Sequence, residues 1–324
     1  MRILHLLASP VWSGPAETIA ALALAQRALG HEVHVAVDRR RSQVSSEELA
    51  APRFAALGLL GEEGLELSVK SSPAGMARDI VRLRRWTGDV LHAHFSHDHF
   101  LARFSGKRLV RSLHAPRSLR WSLPNADAFT VCVETRDRRV LERPHLLLPA
   151  LVSADFVPGD RAAAQRELGL RGEPLIVMTS TFQASRQHGL ALAAFALLRQ
   201  RKPGAQLLLI GDGALAGELR ARAGPGVSFF GYQRGSAFVR YLQACDQLWV
   251  LGLGNDFAAR IAAQGRACGA QVVAVAEGQL ARYASTLVPL DAAAIALAAQ
   301  APGGGPADLP NTARVAADVL ELYR

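Results

Sequence analysis

A histidine-rich segment is the densest group of chemically capable side chains in the sequence. It contains His92, His94, His97, Asp98 and His99 within eight residues, and imidazole and carboxylate groups are ligands that zinc prefers. Two residues separate His94 from His97, and no second cluster of histidines follows downstream. This spacing does not match a zinc signature, so we expect no bound metal. A metallohydrolase built on this segment is the less favoured alternative.

Two other places in the first half of the chain follow predicted strands, where α/β proteins bind their ligands. Gly14, Pro15 and Ala16 separate a predicted strand from a predicted helix. Small side chains there let a ligand approach the backbone, and the helix start offers free N–H groups to an anion. His114 follows a strand near 109–113, where an imidazole is able to contact a sugar hydroxyl or act as an acid or base. Both features also fit ordinary loops.

The second half of the chain repeats this arrangement with residues suited to phosphate. Arg186 lies in the segment that follows a predicted strand, Gly211 and Gly213 follow the next strand, and Tyr232 follows the one after. A further predicted helix begins near residue 257 and contains Gln264. Strand-end glycines, an arginine and a helix N-terminus together are able to hold a diphosphate.

A regular alternation of strands and helices must position these residues. The alternation breaks at 148–160 and then restarts, which predicts two successive doubly wound α/β units with parallel sheets. A capped amphipathic helix is predicted at 311–324, after a Gly- and Pro-rich link. Strands are predicted near 2–8, 32–38, 89–93, 109–113, 128–133, 145–148, 174–179, 206–210, 227–230, 247–250 and 271–275.

Composition narrows the functional classes further. The 324 residues are 50% hydrophobic and 20% charged, enough to bury a sizeable core and to exclude global disorder. The formal net charge is +9, and residues 101–150 carry ten basic and four acidic side chains. Such an excess suits phosphates or an anionic membrane surface, but an Arg-rich chain also reflects compositional bias, and both interpretations stay open. Net charge is the only indication of nucleic-acid binding, so we expect none.

The cysteines and the apolar segments indicate a cytoplasmic protein. Cys132, Cys245 and Cys268 are far apart and form no CxxC pair, which fits a reducing compartment. The N-terminus lacks a basic region before its apolar run and is predicted to be a buried strand rather than a signal peptide. No stretch approaches the ~18 consecutive apolar residues of a membrane span.

The motifs, taken in order, resemble those of the family 4 glycosyltransferases, and the likeness extends over nearly the whole chain. The family has the GT-B fold, in which two Rossmann-like domains face each other and a C-terminal helix returns to the N-terminal domain. The segments that carry the resemblance are Gly14–Glu17, Asp89–His94, Leu113-His114, Val152–Pro158, Leu209–Gly213, Phe229–Tyr232 and Ala267–Ala274.

The sequence departs from the family pattern at its donor site. Asp256 and Gln264 stand where the family carries two glutamates, the second of which grips the donor ribose. Thr181 and Arg186 stand where the family carries a phosphate-binding Arg and Lys, so one cation remains. These departures raise a second class of function, a degenerate GT-B protein that binds a nucleotide-sugar or glycan without turnover.

The resemblance implies a retaining glycosyltransferase that moves a sugar from a nucleotide-diphosphate sugar to a hydroxyl acceptor, with cell-envelope or exopolysaccharide glycan as a candidate product. It implies catalytic roles for His114 and Arg186, and acceptor contacts at Glu17, His94, His99 and Arg117. The residues it implies for the donor are Gly14, Pro15, Ala16, Thr181, Arg186, Gly211, Gly213, Tyr232, Asp256, Phe257, Ala258 and Gln264.

The resemblance also sets the expected domains and partners. We expect an N-terminal acceptor domain at 1–152, a C-terminal donor domain at 153–302, and a linker with the crossover helix at 303–324. No Asp-x-Asp motif appears, so no metal or other cofactor is expected. The expected partners are the nucleotide-sugar and a sugar or lipid-linked acceptor. A lipid-phosphate acceptor would place the protein at the inner face of the membrane, where Arg108, Arg111, Arg117, Arg120 and Trp121 are the candidate contacts.

Overall fold

The computed structural model describes residues 1–39, 49–61, 64–68, 70–115, 118–119, 125–252, 258–300 and 309–324. They form two compact units, an N-terminal unit made of Met1–Leu151 and Pro310–Arg324 and a C-terminal unit made of Val152–Leu309. The first segment of the N-terminal unit ends at Leu151, and the domain boundary was predicted after residue 152.

The N-terminal unit is a parallel sheet of six strands in the order β2-β1-β3-β4-β5-β6, with helices on both faces. Its strands are β1 Arg2–Leu7, β2 Glu32–Val37, β3 Val90–Ala93, β4 Arg108–Leu113, β5 Ala128–Val131 and β6 His145–Leu147. Its helices are α1 Gly14–Ala28, α2 Ala50–Ala56, α3 Pro73–Arg85, α4 Ser96–Ala102, α5 Arg138–Leu141 and α13 Thr312–Glu321.

Alternation of side chains along each strand divides the buried residues of this sheet into two layers. Ile3 and Leu7 of β1 pack with α1 and α13 on one face, and Leu4 and Leu6 pack on the other. His5 lies between Leu4 and Leu6 in sequence and therefore points to the α1 and α13 face, inside the apolar layer.

The C-terminal helix packs on the N-terminal unit, as predicted. The Asn311 side chain accepts a hydrogen bond from the Arg314 backbone at 3.0 Å and caps the first turn. Val315 and Val319 are buried in the same apolar layer as α1. The last residues place Tyr323, which is 3% exposed, inside that layer as well.

The C-terminal unit is a second parallel sheet of six strands, in the order β12-β11-β10-β7-β8-β9. Its strands are β7 Leu175–Thr179, β8 Gln206–Ile210, β9 Val227–Phe230, β10 Gln247–Val250, β11 Gln271–Ala274 and β12 Thr286–Leu287. Its helices are α6 Arg161–Leu168, α7 His188–Arg201, α8 Ala216–Arg222, α9 Gly235–Ala244, α10 Arg260–Ala267, α11 Leu280–Tyr283 and α12 Ala292–Ala298.

The fold class is confirmed: both sheets are parallel and the connections between their strands are mostly helical. The three cysteines are buried and free. In the part of the chain that the structure describes, no helix has the length and apolar character needed to cross a membrane.

Candidate active site

Each sheet has a switch point, where the strand order reverses and ligands of doubly wound folds bind beyond the carboxyl ends of the strands. In the N-terminal unit this point lies between β1 and β3, and in the C-terminal unit it lies between β7 and β10. Most of the predicted site residues that the structure describes lie in the loops that leave the carboxyl ends of the two sheets.

Three neighbouring loops of the C-terminal unit meet beyond β7, β8 and β9. The Tyr232 hydroxyl lies 3.2 Å from Oγ1 of Thr181 and 3.1 Å from the carbonyl oxygen of Asp212. The Phe182 backbone N–H donates to the same carbonyl at 2.8 Å. The structure therefore brings together predicted donor residues from three separate segments of the sequence.

Gly211 and Gly213 are required for this close approach of the loops. They have φ angles of 142° and 155°, a region that residues with a Cβ rarely adopt. A Cβ on Gly211 would lie 2.2 Å from the carbonyl oxygen of Ser180, and one on Gly213 would lie 2.6 Å from that of Phe182. The glycines thus exclude side chains where the β7 and β8 loops touch.

Arg186 lies at the switch point of the C-terminal unit. It ends a short 3₁₀ turn, Ala184–Arg186, after β7, and it packs on Gly252 after β10, where an added Cβ would lie 2.7 Å from Cδ of the arginine. His188 begins α7 beside it, with Nε2 3.2 Å from Oγ of Ser180. Burial, and then the charge of Arg186, lower the pKa of His188 to about 4.

The predicted ribose contact, Gln264, lies in α10 and is 3% exposed. Its Oε1 accepts a hydrogen bond of 3.4 Å from the Arg260 guanidinium. Ala258 precedes this helix and is partly exposed, whereas Asp256 and Phe257 lie outside the described residues. The structure therefore gives Gln264 a cation as a neighbour, a feature that its position in the sequence did not indicate.

The predicted loop of the N-terminal unit forms the start of α1. The helix begins at Gly14, within the segment predicted to precede it, because Pro15 favours the first turn of a helix. Ala16 is buried, while Gly14, Pro15 and Glu17 are partly exposed. This arrangement leaves the first turn of a 15-residue helix at the carboxyl edge of the sheet.

His114 follows β4 and is linked to a group of buried histidines. Its Nε2 lies 3.2 Å from Nδ1 of His94, and Nε2 of His94 lies 3.0 Å from Nδ1 of His5. His92 stacks on His94 with ring centroids 4.5 Å apart. His114 is partly exposed, whereas the other three are at most 2% exposed. Burial, and then the charge of Arg111, lower the pKa of His114 to about 3.

His5, His92 and His94 are close enough to be considered as metal ligands, since their candidate ligand atoms lie within 4.8 Å of one another. All six ring nitrogens of this trio nevertheless have hydrogen-bond partners. A neutral imidazole has one donor and one acceptor nitrogen, so a metal would have to displace bonds that are already formed. The arrangement fits a hydrogen-bond network better than a metal centre.

Asp98, the carboxylate of the histidine-rich segment, accepts hydrogen bonds from backbone N–H groups. Its oxygens accept from the N–H groups of Ala8 at 3.1 Å, Phe95 at 2.8 Å and His99 at 2.7 Å. Burial raises its pKa to about 6, against the lowering effects of the Arg111 charge and of these bonds. Asp98 thus fixes the loop after β1 to the start of α4.

The remaining acceptor-side residues are placed differently from one another. His99 is fully buried, and within the described residues neither of its ring nitrogens has a hydrogen-bond partner. Arg117, with Arg120 and Trp121, lies outside the described residues. Of two arginines expected at a basic surface, one is buried, and the other is partly exposed and bonded to the C-terminal segment. Arg111 is 1% exposed, and Arg108 donates to the Leu322 carbonyl at 3.2 and 3.0 Å. Burial excludes Arg111 from a membrane contact, so that part of the expectation was wrong, whereas the contact expected for Arg108 stays a prediction.

Comparison with known proteins places these features in a family. Residues 12–148 match the family Glycosyltransferase Family 4, and residues 173–301 match Glycosyl transferases group 1. The chain belongs to the family 4 glycosyltransferases. A D-inositol 3-phosphate glycosyltransferase from Segniliparus rotundus is 30% identical over 135 residues, which cover 39% of this chain and 30% of that relative.

Solved structures show that this glycosyltransferase has the GT-B fold. A glycosyltransferase from Rickettsia africae has a TM-score of 0.70 and 14% identity, covering 99% of this chain and 94% of the other. The Anabaena protein HepE, in complex with UDP-glucose, has a TM-score of 0.71 and 14% identity, covering 99% of both chains. A sucrose-phosphate synthase from Thermosynechococcus elongatus has a TM-score of 0.68 and 17% identity, covering 100% of this chain and 95% of the other.

Three residues that connect to His114 through His94 in this glycosyltransferase were not predicted from the sequence. His5, Gln26 and Tyr323 lie far from His114 in sequence, and each looks like an ordinary residue of an apolar strand or helix. The only signal was a histidine inside the first apolar strand. It becomes informative once β1 pairs with β3, because His5 and His92 are then register partners.

Proposed function

We propose that this glycosyltransferase moves a sugar from a nucleotide-diphosphate sugar to a hydroxyl acceptor, with retention of the anomeric configuration. The observation that carries the proposal is the position of Arg186 at the switch point between β7 and β10, beside Gly252. It lies in the loop after β7 that meets Gly211 and Gly213 of the loop after β8. The complexes of HepE with UDP and with UDP-glucose support the same donor class.

The chemistry requires fixed positive groups at the diphosphate. When the nucleoside diphosphate leaves, negative charge grows on its phosphate oxygens, and a guanidinium held in place stabilises that charge more than it stabilises the intact donor. Arg186 is the side chain proposed for this role. The first turn of α1 at Gly14, Pro15 and Ala16 offers N–H groups as additional donors.

His114 is proposed to contact the donor sugar near the reacting carbon. The sugar becomes positively charged as the diphosphate departs, so a neutral imidazole serves better there than an imidazolium. The lowered pKa of His114 keeps the ring neutral at physiological pH. In a retaining reaction the acceptor hydroxyl attacks on the face from which the diphosphate leaves.

The proposed reaction uses no metal ion. This rests on the absence of an Asp-x-Asp motif from the sequence and on the hydrogen bonds that occupy the ring nitrogens of His5, His92 and His94. We expect turnover to persist in excess EDTA, and purified protein to contain far less than one zinc per chain by elemental analysis. One tightly bound zinc that is lost in His92→Ala would contradict both the metal-free reaction and the assignment of this cluster.

The acceptor is proposed to be a hydroxyl of a sugar or of a lipid-linked glycan, as in envelope or exopolysaccharide synthesis, at the cytoplasmic face of a membrane. The basic excess between residues 101 and 150 supports an anionic partner. A vesicle sedimentation assay tests the membrane part of this proposal. Binding to anionic vesicles that falls steeply with salt supports it, and equal binding to neutral vesicles contradicts it.

The second candidate function is a GT-B protein that binds a nucleotide-sugar without turnover. It is favoured by Thr181 and Gln264, which replace a cation and a carboxylate of the family pattern. A panel of nucleoside diphosphates and nucleotide-sugars separates the two functions. A donor present at 100 times its Kd stabilises the protein by about 2.7 kcal/mol, which thermal shift detects.

The outcomes of that panel are distinct. A nucleotide-sugar that stabilises the protein and is also hydrolysed or transferred, more slowly by Arg186→Ala, supports the enzyme. Stabilisation without any turnover supports the binding protein. No stabilisation by any nucleotide-sugar would overturn both.

A further inference from the structure

A line of hydrogen-bonded side chains runs through the interior of the N-terminal unit and ends at His114. Oε1 of Gln26 lies 2.9 Å from Nε2 of His5, and Nδ1 of His5 lies 3.0 Å from Nε2 of His94. Nδ1 of His94 then lies 3.2 Å from Nε2 of His114. We name His5, His94 and His114 the imidazole chain. Gln26 is fully buried at its inner end, and His114 is partly exposed at its outer end.

The rings of the imidazole chain meet edge to edge. The ring centroids of His5 and His94 are 5.2 Å apart although their nearest nitrogens are 3.0 Å apart. For His94 and His114 the corresponding distances are 5.4 and 3.2 Å. Both differences are close to twice the radius of an imidazole ring, so the nitrogens lie nearly on the line between the centroids. Each contact is therefore a directed N–H···N hydrogen bond.

The amide of Gln26 sets the direction of these bonds. Its Nε2 donates to the Tyr323 hydroxyl at 3.0 Å, which leaves the carbonyl oxygen Oε1 facing His5. A carbonyl oxygen only accepts, so Nε2 of His5 carries the proton and its Nδ1 accepts from Nε2 of His94. By the same step Nδ1 of His94 accepts from Nε2 of His114. Nδ1 of His114 is then the nitrogen without a proton.

A second branch from Tyr323 agrees with this direction. The Tyr323 hydroxyl accepts from Gln26 and donates its own proton to Nδ1 of His92 at 2.6 Å. Nε2 of His92 then donates to the Ser112 hydroxyl at 2.8 Å, and the Ser112 and Thr130 hydroxyls are 2.6 Å apart. The donors and acceptors assigned along the two branches are therefore compatible with one another.

The burial of the imidazole chain favours the neutral form of each ring, in which one of its two nitrogens carries a proton. Desolvation lowers the pKa of His5 to about 4 and that of His94 well below its ordinary value. The Arg111 charge further lowers the pKa of both His94 and His114. A neutral imidazole exists in two tautomers, and the hydrogen bond made by one nitrogen selects which of them is present.

We propose that Gln26, held by Tyr323 of the C-terminal segment, fixes the tautomer of His114 through His5 and His94, so that Nδ1 of His114 is a hydrogen-bond acceptor for a hydroxyl of the bound sugar. Gln26, His5 and Tyr323 are positioning residues that do not touch the substrate. This inference rests on the proposed function in one respect, the sugar hydroxyl as the donor to His114. The tautomer itself is a property of the protein without a ligand.

Nitrogen-15 NMR of the histidine-labelled full chain tests the tautomer directly. At pH 7.5 we expect His114 to show a protonated Nε2 and an unprotonated Nδ1, with its signals assigned by their loss in His114→Gln. Gln26→Met keeps the length of the side chain but removes both polar groups. In that variant the two ring nitrogens of His114 should move toward averaged shifts, because either tautomer is then allowed.

Two further variants control for misfolding. Tyr323→Phe removes one hydroxyl far from His114 in sequence and frees the Gln26 amide to turn, so it should shift the same His114 signals. Tyr283→Phe, a buried tyrosine of the C-terminal unit, should leave them unchanged. A wild-type His114 protonated on Nδ1, or His114 signals that stay constant in both folded variants, would overturn the proposal.

Kinetics with the donor separates this inference from the proposed function. Gln26→Met should lower kcat/KM for the donor by about tenfold, the equivalent of one neutral hydrogen bond, and Tyr283→Phe should not. Tautomer shifts in a protein that binds no nucleotide-sugar would support the imidazole chain and contradict the function. Normal turnover in Gln26→Met with an unchanged His114 tautomer would support the function and contradict the imidazole chain.

Discussion

Arg186 is the residue whose charge the proposed chemistry needs most. Its side chain packs on Gly252 at the switch point, and Thr181 stands in place of the other phosphate-binding cation of the family. We expect Arg186→Ala to lower kcat/KM by roughly 10- to 100-fold, which corresponds to the loss of a charge-assisted contact of about 1.5–3 kcal/mol. The larger part should fall on kcat, because the phosphate charge grows in the transition state.

Steady-state kinetics and donor titration of the same preparations check this expectation. Arg201→Ala, at the far end of α7, is the matched control and should behave like the wild type. If Arg186→Ala leaves donor affinity and turnover unchanged, the diphosphate does not bind at this loop.

Gln264 is the second residue at which this chain departs from its family. Its Oε1 already lies 3.4 Å from the Arg260 guanidinium, so a carboxylate at this position would gain a cationic neighbour. We expect Gln264→Ala to weaken donor binding with little change in kcat, because a ribose contact is similar in the ground and transition states. Gln264→Glu should preserve or tighten donor binding. Calorimetric titration measures both, and tighter binding by the alanine variant would exclude a ribose contact here.

At the scale of the elements, Gly211 decides whether the loops after β7 and β8 are able to meet. Its φ of 142° and the 2.2 Å that would separate an added Cβ from the Ser180 carbonyl oxygen leave no room for a side chain. Gly211→Ala should lower the free energy of unfolding by about 2–4 kcal/mol, through strain and backbone displacement. Urea unfolding followed by circular dichroism measures the change.

The matched control is a glycine at which an added side chain would meet no neighbouring atom. Gly217 lies in α8, and a Cβ there meets nothing within 4 Å. Gly217→Ala should raise the free energy of unfolding by roughly 0.4–1 kcal/mol, since alanine favours a helix. Equal effects of the two substitutions would show that the Gly211 loop is not constrained as described.

Most elements were predictable because both sheets consist of apolar runs separated by turn residues. The strands at Gln206–Ile210 and Val227–Phe230 have the predicted bounds. The short helices α11 and α12 and the strand β12 were not predicted. They are short segments near the C-terminal end of their unit, and packing rather than periodicity determines them.

Site residues were predictable from the sequence only where they lie in the loop that follows a predicted strand. His114 and Gly211 follow their strands directly, and Arg186 lies in the loop after β7, so the topology of parallel sheets places them at a ligand-binding edge. His5 and Gln26 were not predictable, because their significance depends on the order of β1 and β3 and on the packing of α1 against the sheet. Tyr323 was not predictable either, because it lies 297 residues from Gln26, whose amide donates a hydrogen bond to its hydroxyl.

At the scale of the whole molecule, the buried histidines make stability depend strongly on pH. Burial is the largest cause that lowers the pKa of His5 and His188 to about 4 and of His99 and His114 to about 3, and it lowers the pKa of His92 and His94 as well. Their stabilising contribution is complete above pH 6.5, the pKa of histidine in the unfolded chain. It falls as the pH drops from there toward the folded values.

We therefore expect the protein to unfold cooperatively in mild acid. Between the two pKa values each such histidine costs about 1.4 kcal/mol per pH unit. Asp98, with its pKa raised to about 6, acts in the opposite sense and offsets one of them, because it takes up its proton more readily in the folded state. Urea unfolding at intervals from pH 7.5 to 4.5 should show a steep loss of stability that begins near pH 6.5. A flat profile over this range would contradict the burial of these rings.

His99 allows the origin of this acid sensitivity to be tested at a single position. It is fully buried, and no hydrogen bond to its ring nitrogens is found within the described residues. His99→Leu keeps a similar volume and removes one group that must be protonated on unfolding in acid.

At pH 7.5 the variant should be at least as stable as the wild type, since an apolar side chain in this place has no polar atoms to desolvate. Below pH 6.5 its advantage should grow by about 1.4 kcal/mol per pH unit, so the two stability curves diverge with a slope of one proton. Parallel curves would mean that His99 takes up its proton in the folded protein, and that its ring reaches solvent.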